Sequence, residues 1–190
     1  MNIVTVPHPA LRQIASSIDT LDKKTHKFLR QLAETLDNGN NPRGVGLSAP
    51  QVDINLRAFV TKADNDHPEH APMRLFINPV LTNHSPERIF GDTSNRNKRI
   101  EGCLSIPKLF GPVPRWQWIE VSFATLDAQG NLVTQEERFS AFPARVVQHE
   151  LDHLDGVLFT DYSLEYDLPV YVEVGDELEE FNDRTALTSY

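Results

Sequence analysis

The sequence lacks long apolar runs and has few basic residues relative to acidic ones. No stretch of the 190 residues approaches the length of a membrane-spanning helix, and the N-terminus carries no basic segment leading into the apolar run of a signal peptide. We therefore expect a cytoplasmic protein with no membrane partner. Lys and Arg number 18 against 27 Asp and Glu, a net charge of -9. Because a negative outer field disfavours binding to phosphates, direct DNA binding is not expected.

Cysteine is also nearly absent. Cys103 is the single cysteine, so no intrachain disulfide can form. In a reducing compartment the thiol is a core residue, a nucleophile or a metal ligand. A length of 190 residues suits one compact domain of enzyme size, which we expect to be a monomer.

Hydrophobic periodicity predicts two helices and several short strands. Apolar residues recur at helical spacing from Leu21 to Leu36, in a helix that ends near Asn38. A second helix is predicted from near Pro143, with Ser140 available as its N-terminal cap and Gly156 as its C-terminal cap. The predicted strands are residues 56–61, 75–78, 118–126 and 132–140, the last two joined as a hairpin. This order predicts an α+β domain in which antiparallel sheets pack around a central helix.

An HExxH sequence spans His149 to His153 in the second predicted helix. Residues four apart lie on one face of a helix, so both imidazoles can bind one cation. Glu150 lies about 100° around the helix from His149, where its carboxylate suits a general base that takes a proton from water. A solvated helix face is the alternative, and the rarity of HExxH in chains of this length favours the metal site.

Two histidines need a third protein ligand if one position is to stay open for water. Cys103 follows Gly102, which lets the backbone turn tightly, and a thiolate with two imidazoles suits zinc and ferrous iron alike. An inert core cysteine is the alternative for a lone thiol. We expect the remaining histidines to be exposed: His8, His26, His67, His70 and His84.

Three segments resemble the motifs of the peptide deformylase family. Gly44–Gln51 is similar to its GxGLxAxQ segment, Glu101–Ser105 to its EGCLS segment and Gln148–Gly156 to its HExDH helix. Their order and spacing also fit, and the resemblance covers residues 3–162. It implies the peptide-deformylase-like fold and a hydrolase that removes the formyl group from N-formylmethionyl nascent peptides, releasing formate.

The resemblance also implies roles for individual residues. Cys103, His149 and His153 would hold one divalent metal ion per chain, ferrous iron in the cell, with zinc, nickel or cobalt as substitutes. Glu150 would be the general base, and the amide of Gln51 and the backbone N–H of Leu104 would hold the oxyanion. Gly46 and Leu47 are implied to line the substrate pocket. Val45, Ile106 and Val146 are further candidates for its wall, with ordinary core packing as the alternative for each. Arg115 and Asp152 either form a salt bridge that steadies the helix or lie separately at the surface.

Two segments depart from the commoner family pattern. Residues 91–99 form a charged insertion before the cysteine segment, which we expect to be a loop at the cleft mouth. Residues 169–174 alternate as an edge strand would, and an acidic tail that we expect to be solvated follows. We therefore divide the chain into a catalytic domain at 1–165 and an edge strand with an acidic tail at 166–190. Ribosomal RNA should repel an acidic tail, so ribosome docking through this segment is not expected, and a transient association with ribosomes by another route stays open.

Three other functions remain as alternatives. A zinc peptidase would use the same base on an internal amide, but such enzymes usually take their third ligand downstream of HExxH, whereas Cys103 lies upstream. A structural metal module would need neither Glu150 nor Gln51. A cysteine-nucleophile hydrolase is disfavoured because a thiolate bound to metal is not free to attack.

Overall fold

The computed structural model describes residues 1–39, 44–65, 70–90, 100–175 and 177–190. Its helices are α1 (Lys23–Asn38), α2 (Ala141–Leu154), α3 (Phe159–Glu165) and α4 (Arg184–Leu187). Its strands are β1 (Gly46–Ser48), β2 (Ala58–Thr61), β3 (Arg74–His84), β4 (Arg88–Ile89), β5 (Ile100–Cys103), β6 (Ile106–Pro112), β7 (Arg115–Trp116), β8 (Trp118–Leu126), β9 (Leu132–Ser140), β10 (Tyr171–Val174) and β11 (Glu177–Glu180). The charged insertion at 91–99 lies outside the described residues, as does His67.

The strands pair antiparallel and form three sheets within the described ranges. The strand orders are β1-β2-β3-β8-β9, β11-β10-β6-β5 and β4-β7. The predicted hairpin is confirmed as β8–β9, with Trp118 opposite Ser140 and Leu126 opposite Leu132. Its turn is stabilised by Asp127, whose carboxylate accepts the backbone N–H groups of Gln129 and Asn131. The α+β prediction is therefore confirmed.

Helix α1 forms the cover of one part of the core. Its buried residues Phe28, Leu29, Leu32 and Leu36 fall on one face, as the periodicity predicted. The N-terminal cap is Asp22, whose side chain accepts the backbone N–H of Thr25 at 2.7 Å. This helix packs with β1 and β2 in one apolar cluster, so it supports the strand that begins at Gly46.

Helix α2 lies at the centre of the fold, in contact with strands β1, β2, β7, β8 and β9. Val147, Leu151 and Leu154 pack in a cluster that also contains Phe59, Phe76 and Phe139. Ser140 occupies the N-cap position without a capping hydrogen bond from its side chain. The predicted C-terminal cap was wrong by one residue, because Asp155 is the cap and Gly156 follows with a φ of 71°.

The C-terminal segment is more ordered than the sequence suggested. The strand expected within 169–174 forms as β10, but β10 pairs with β6 on one side and β11 on the other, so the edge strand is β11. The acidic side chains of Glu177, Glu179 and Glu180 are exposed as expected, but the segment that follows is not a solvated tail, because Leu187 is buried with Leu11 and Ile106 in one cluster. Among the described residues, no helix combines the length and apolar character needed to cross a membrane.

Candidate active site

Helix α2 and strand β5 bring the three predicted metal ligands together. One ligand atom from each of Cys103, His149 and His153 lies within 4.8 Å of the others, and the Cys103 Sγ is 3.2 Å from the His153 Nε2. The register of β5 with β6 shifts between Gly102 and Cys103. A Cβ on Gly102 would lie 2.5 Å from the Phe110 ring, so the absence of a side chain lets this irregular turn form.

A buried carboxylate orients His149. The Nδ1 of His149 lies 2.9 Å from the Glu101 Oε2, which leaves its Nε2 for a metal. Arg115 donates two hydrogen bonds of 2.8 Å to Glu101 and also bonds Asp152. Burial favours a raised pKa for Glu101, but the guanidinium of Arg115 outweighs it and holds that pKa below its usual range. Glu101 is therefore a fixed anion beside the predicted metal ligand His149.

The donor set fits a divalent metal ion. A thiolate and two imidazoles are ligands that zinc and ferrous iron share. The backbone N–H of Ser105 donates to the Cys103 Sγ at 3.4 Å. Burial, with His149 nearby, lowers the pKa of His153 well below its usual value, so its imidazole is neutral and offers a lone pair.

Glu150 lies beside these ligands with part of its carboxylate unpaired. Its Oε2 is buried and has no hydrogen-bond partner within the described ranges, which is costly unless the group serves a reaction or a bound molecule. Burial raises the pKa of Glu150 to about 7, a value that suits proton transfer near neutrality. Gly46 makes room for it, because a Cβ there would lie 2.2 Å from the Glu150 Oε1.

The amide of Gln51 is held with its N–H₂ group toward the same centre. The Oε1 of Gln51 accepts hydrogen bonds from the backbone N–H and the hydroxyl of Ser48, at 2.9 and 3.1 Å. The Nε2 faces the Ser105 Oγ at 3.3 Å and the Cys103 Sγ at 3.6 Å. The donor end of the amide is therefore oriented before any substrate arrives.

A cavity of about 540 Å³ opens over these residues. Gln51 and Leu104 lie on its wall. Four of the five predicted lining residues lie there as well: Val45, Gly46, Ile106 and Val146. Leu47 was placed wrongly, because it is fully buried in the cluster beneath α1. All three residues of β1 are buried, so strand alternation gave no way to tell cavity wall from core.

Several residues at the site were not identified from the sequence. Arg145 and Glu173 also line the cavity, and Ser48 and Ser105 orient Gln51. Glu101 lies two residues before Cys103 in the same motif, and that position was the one available signal for its role. Arg115 is almost fully buried, so its salt bridge with Asp152 is confirmed over the surface alternative.

The other described histidines lie outside this cluster. His70 and His84 are exposed, and His84 stacks on Trp116 with ring centroids 4.1 Å apart. His8 and His26 are half-buried rather than exposed. The His8 Nδ1 accepts the backbone N–H of Ala10, so this ring caps a short helical turn.

Comparison with known proteins agrees with the geometry. A family model described as polypeptide deformylase matches residues 1–167. The chain is 38% identical over 164 residues to peptide deformylase 2 of Nostoc sp., covering 84% of this chain and 83% of that protein.

Solved structures of similar fold agree as well. The peptide deformylase of Thermotoga maritima has a TM-score of 0.68 and 34% identity, with 85% of this chain and 95% of that chain covered. The Synechococcus elongatus enzyme, solved with actinonin, has a TM-score of 0.68 and 30% identity over 92% of this chain and 79% of that chain. The chain therefore belongs to the peptide deformylase family, metallohydrolases that remove the formyl group from the N-terminus of new polypeptides.

Proposed function

We propose that this chain deformylates nascent peptides with Glu150 as the general base and with Cys103, His149 and His153 as the metal ligands. The observation that carries the proposal is the buried Glu150 carboxylate, which lacks a partner on Oε2 and adjoins the three-ligand cluster. A metal held there supplies Lewis acidity, which polarises the formyl oxygen and makes water more acidic.

Glu150 moves the proton of the reaction. Its carboxylate takes a proton from water as the water oxygen bonds to the formyl carbon. The carbon–nitrogen bond then breaks, and Glu150 returns the proton to the methionine nitrogen. Formate and a free amino terminus are the products, and Glu150 is restored.

Gln51 and Leu104 stabilise the charge that develops on the formyl oxygen. Ser48 occupies the carbonyl end of the Gln51 amide, so the N–H₂ end, which faces Ser105 and Cys103, is the end that donates to the oxyanion. Leu104 follows the ligand Cys103 directly, and its backbone N–H is the second donor in this proposal.

The cavity wall accounts for the preference for methionine. Val45, Ile106 and Val146 present apolar side chains to the cavity, which suits an unbranched thioether. Gly46 keeps the wall open beside Glu150, as the close Cβ approach requires. Leu47 acts through packing in the core beneath α1.

The substrate class is tested by formate release. Formyl-Met-Ala-Ser, its acetylated analogue and an unblocked longer peptide are incubated with metal-loaded protein prepared without oxygen. We expect formate from the first peptide alone. Cleavage of internal peptide bonds would instead favour the HExxH peptidase, and a metal-loaded protein without formate release would refute the proposal.

The resident metal in this proposal is ferrous iron, one ion per chain. The cysteine ligand supports it, since thiolate and imidazole ligands suit this ion, and zinc, nickel or cobalt can use the same donors. Metal content after purification without oxygen is the test. A preparation that holds zinc alone and reaches full activity would contradict the iron assignment.

We further propose a cytoplasmic monomer that associates transiently with ribosomes, with a catalytic domain at 1–165. The exposed acidic side chains of β11 argue against a strong contact with ribosomal RNA. Co-sedimentation with ribosomes at varied salt tests the association, and sedimentation velocity tests the monomer. A stable dimer, or ribosome binding that resists salt, would contradict these assignments.

A further inference from the structure

A second arginine reaches the site from the wall of the substrate cavity. Arg145 lies on α2, one helical turn before His149, and only 8% of its surface is exposed. It lines the cavity beside Val146, where a cation is unexpected in a pocket for an apolar side chain. A buried charge in such a place must be paired, and its partners show what it does.

The partner of Arg145 is the carboxylate that orients His149. The Arg145 Nη1 donates to the Glu101 Oε1 at 2.8 Å and to the carbonyl oxygen of Val113 at 3.0 Å. The Arg115 Nε donates to the same Oε1 at 2.8 Å. The Glu101 Oε2 accepts a hydrogen bond from the Arg115 Nη2 and lies 2.9 Å from the His149 Nδ1. Glu101 is therefore held on both oxygens.

Arg145 also balances charge around this group. Arg115 is shared between two carboxylates, Glu101 and Asp152, and cannot neutralise both. Arg145 supplies the second positive charge on Glu101. Without it, the buried carboxylates of Glu101 and Asp152 would share one guanidinium before any metal ion binds.

We propose that Arg145 is a positioning residue, which fixes the orientation of His149 through Glu101 while forming part of the substrate cavity wall. The inference rests on the metal-ligand role of His149 in the proposed function. Without Arg145, the Arg115 guanidinium is the remaining arginine contact of Glu101. The Glu101 carboxylate, which is the partner of the His149 Nδ1, can then shift. Partners of this kind typically change metal affinity or activity by about 10-fold to 100-fold.

A role in the cavity wall alone makes a different prediction. Removing a residue that touches substrate but does not position His149 would change KM and leave metal affinity as it was. A positioning residue changes metal affinity in the absence of any substrate. The two roles are therefore separated by measuring the metal site before any peptide is added.

The experiment compares Arg145→Met with a matched arginine elsewhere. Arg138 pairs with Glu120 on the exposed face of the β8–β9 hairpin, so Arg138→Met removes an ion pair remote from the site. Cobalt affinity is measured by competition with a chelator, and the absorption spectrum of bound cobalt reports ligand geometry. We expect Arg145→Met to lose about 10-fold to 100-fold in affinity with an altered spectrum, and Arg138→Met to match the parent.

Two further variants keep the result interpretable. Arg145→Gln retains an N–H donor, and we expect a smaller loss than in Arg145→Met; it replaces that variant if thermal unfolding shows that Arg145→Met does not fold. In a Glu101→Gln background, Arg145→Met should add little, because both act through one carboxylate. If folded Arg145 variants bind cobalt with the affinity and the absorption spectrum of the parent protein, the proposal is overturned. If the parent protein binds cobalt but releases no formate, the proposed function is refuted, while the comparison of cobalt affinities still tests the role of Arg145.

Discussion

Gly46→Ala tests whether the position of Glu150 controls the reaction. A Cβ at residue 46 would lie 2.2 Å from the Glu150 Oε1, 2.7 Å from Cδ and 2.9 Å from Cγ. Ordinary contacts begin near 3.4 Å, so the Glu150 carboxylate must shift to relieve these contacts. β1 is hydrogen-bonded to β2, with Gly46 opposite Thr61, and cannot easily yield in its place.

The expected effect is on turnover rather than on metal binding. A displacement of about 1 Å at a reacting group typically costs on the order of 100-fold in rate. We expect kcat for formate release to fall by about that factor, while the metal content stays that of the parent, because the atoms nearest to an added Cβ at residue 46 all belong to Glu150 and not to the three ligand residues. Metal analysis of the same sample verifies the second point.

Two comparisons isolate the cause. Gly39→Ala adds a methyl group with contacts of 3.4 and 3.5 Å at the end of α1, where φ is -72°, so it should leave activity unchanged. Adding Gly46→Ala to Glu150→Gln should cost little more than Glu150→Gln alone. Parent kcat in a metal-replete Gly46→Ala protein would refute the position or the role assigned to Glu150.

Three other predictions follow from the site and the fold. Gln51→Ala should lower kcat by about 100-fold to 1000-fold at full metal occupancy, and a change confined to KM would contradict an oxyanion role. Gly156→Ala should lower the free energy of unfolding by at least about 1–2 kcal/mol, which is the cost of placing a residue with a side chain in the left-handed region. The φ of residue 156 is 71°, and an added Cβ would lie 2.8 Å from the Arg12 carbonyl oxygen. Urea unfolding measures this change, and unchanged stability would contradict the geometry. Removal of the metal by a chelator should abolish formate release, and addition of nickel or cobalt should restore it. Iron-loaded protein should lose activity in air as the Cys103 thiolate oxidises. Full activity of the metal-free protein would contradict a metal role.

The parts of the fold that depend on local spacing were predictable. Helix α2 and its two histidines follow from a helical period and an i, i+4 pair. The β8–β9 hairpin follows from two apolar runs separated by a turn that Asp127 stabilises. Both features involve neighbours in sequence, which is where periodicity and turn chemistry are informative.

The parts that depend on distant contacts were not predictable. Glu101 pairs with Arg115, Arg145 and His149 at sequence separations of 14, 44 and 48 residues. No local pattern marks such pairs, and a charged residue on a predicted helix is usually solvated. Leu47 illustrates the same limit, since β1 is covered on both faces and its alternation carries no information about which side faces the cavity.

In the C-terminal segment, polar composition predicted the exposure of the acidic side chains but not the regular strand that carries them. Glu177, Glu179 and Glu180 suggested a solvated tail, yet β11 pairs with β10 along its length. Exposed charges on an edge strand discourage pairing with other chains, so an acidic sequence and a regular strand are compatible here.

The central claim is that Glu150 transfers the proton at a site held by Cys103, His149 and His153. The most direct measurement is single-turnover formate release by cobalt-loaded Glu150→Gln protein whose cobalt absorption spectrum matches that of the parent. We expect a rate lower than that of the parent by about 100-fold to 10,000-fold, with the metal fully bound. Formate release at the parent rate by that variant would contradict it and would require another proton acceptor at the site.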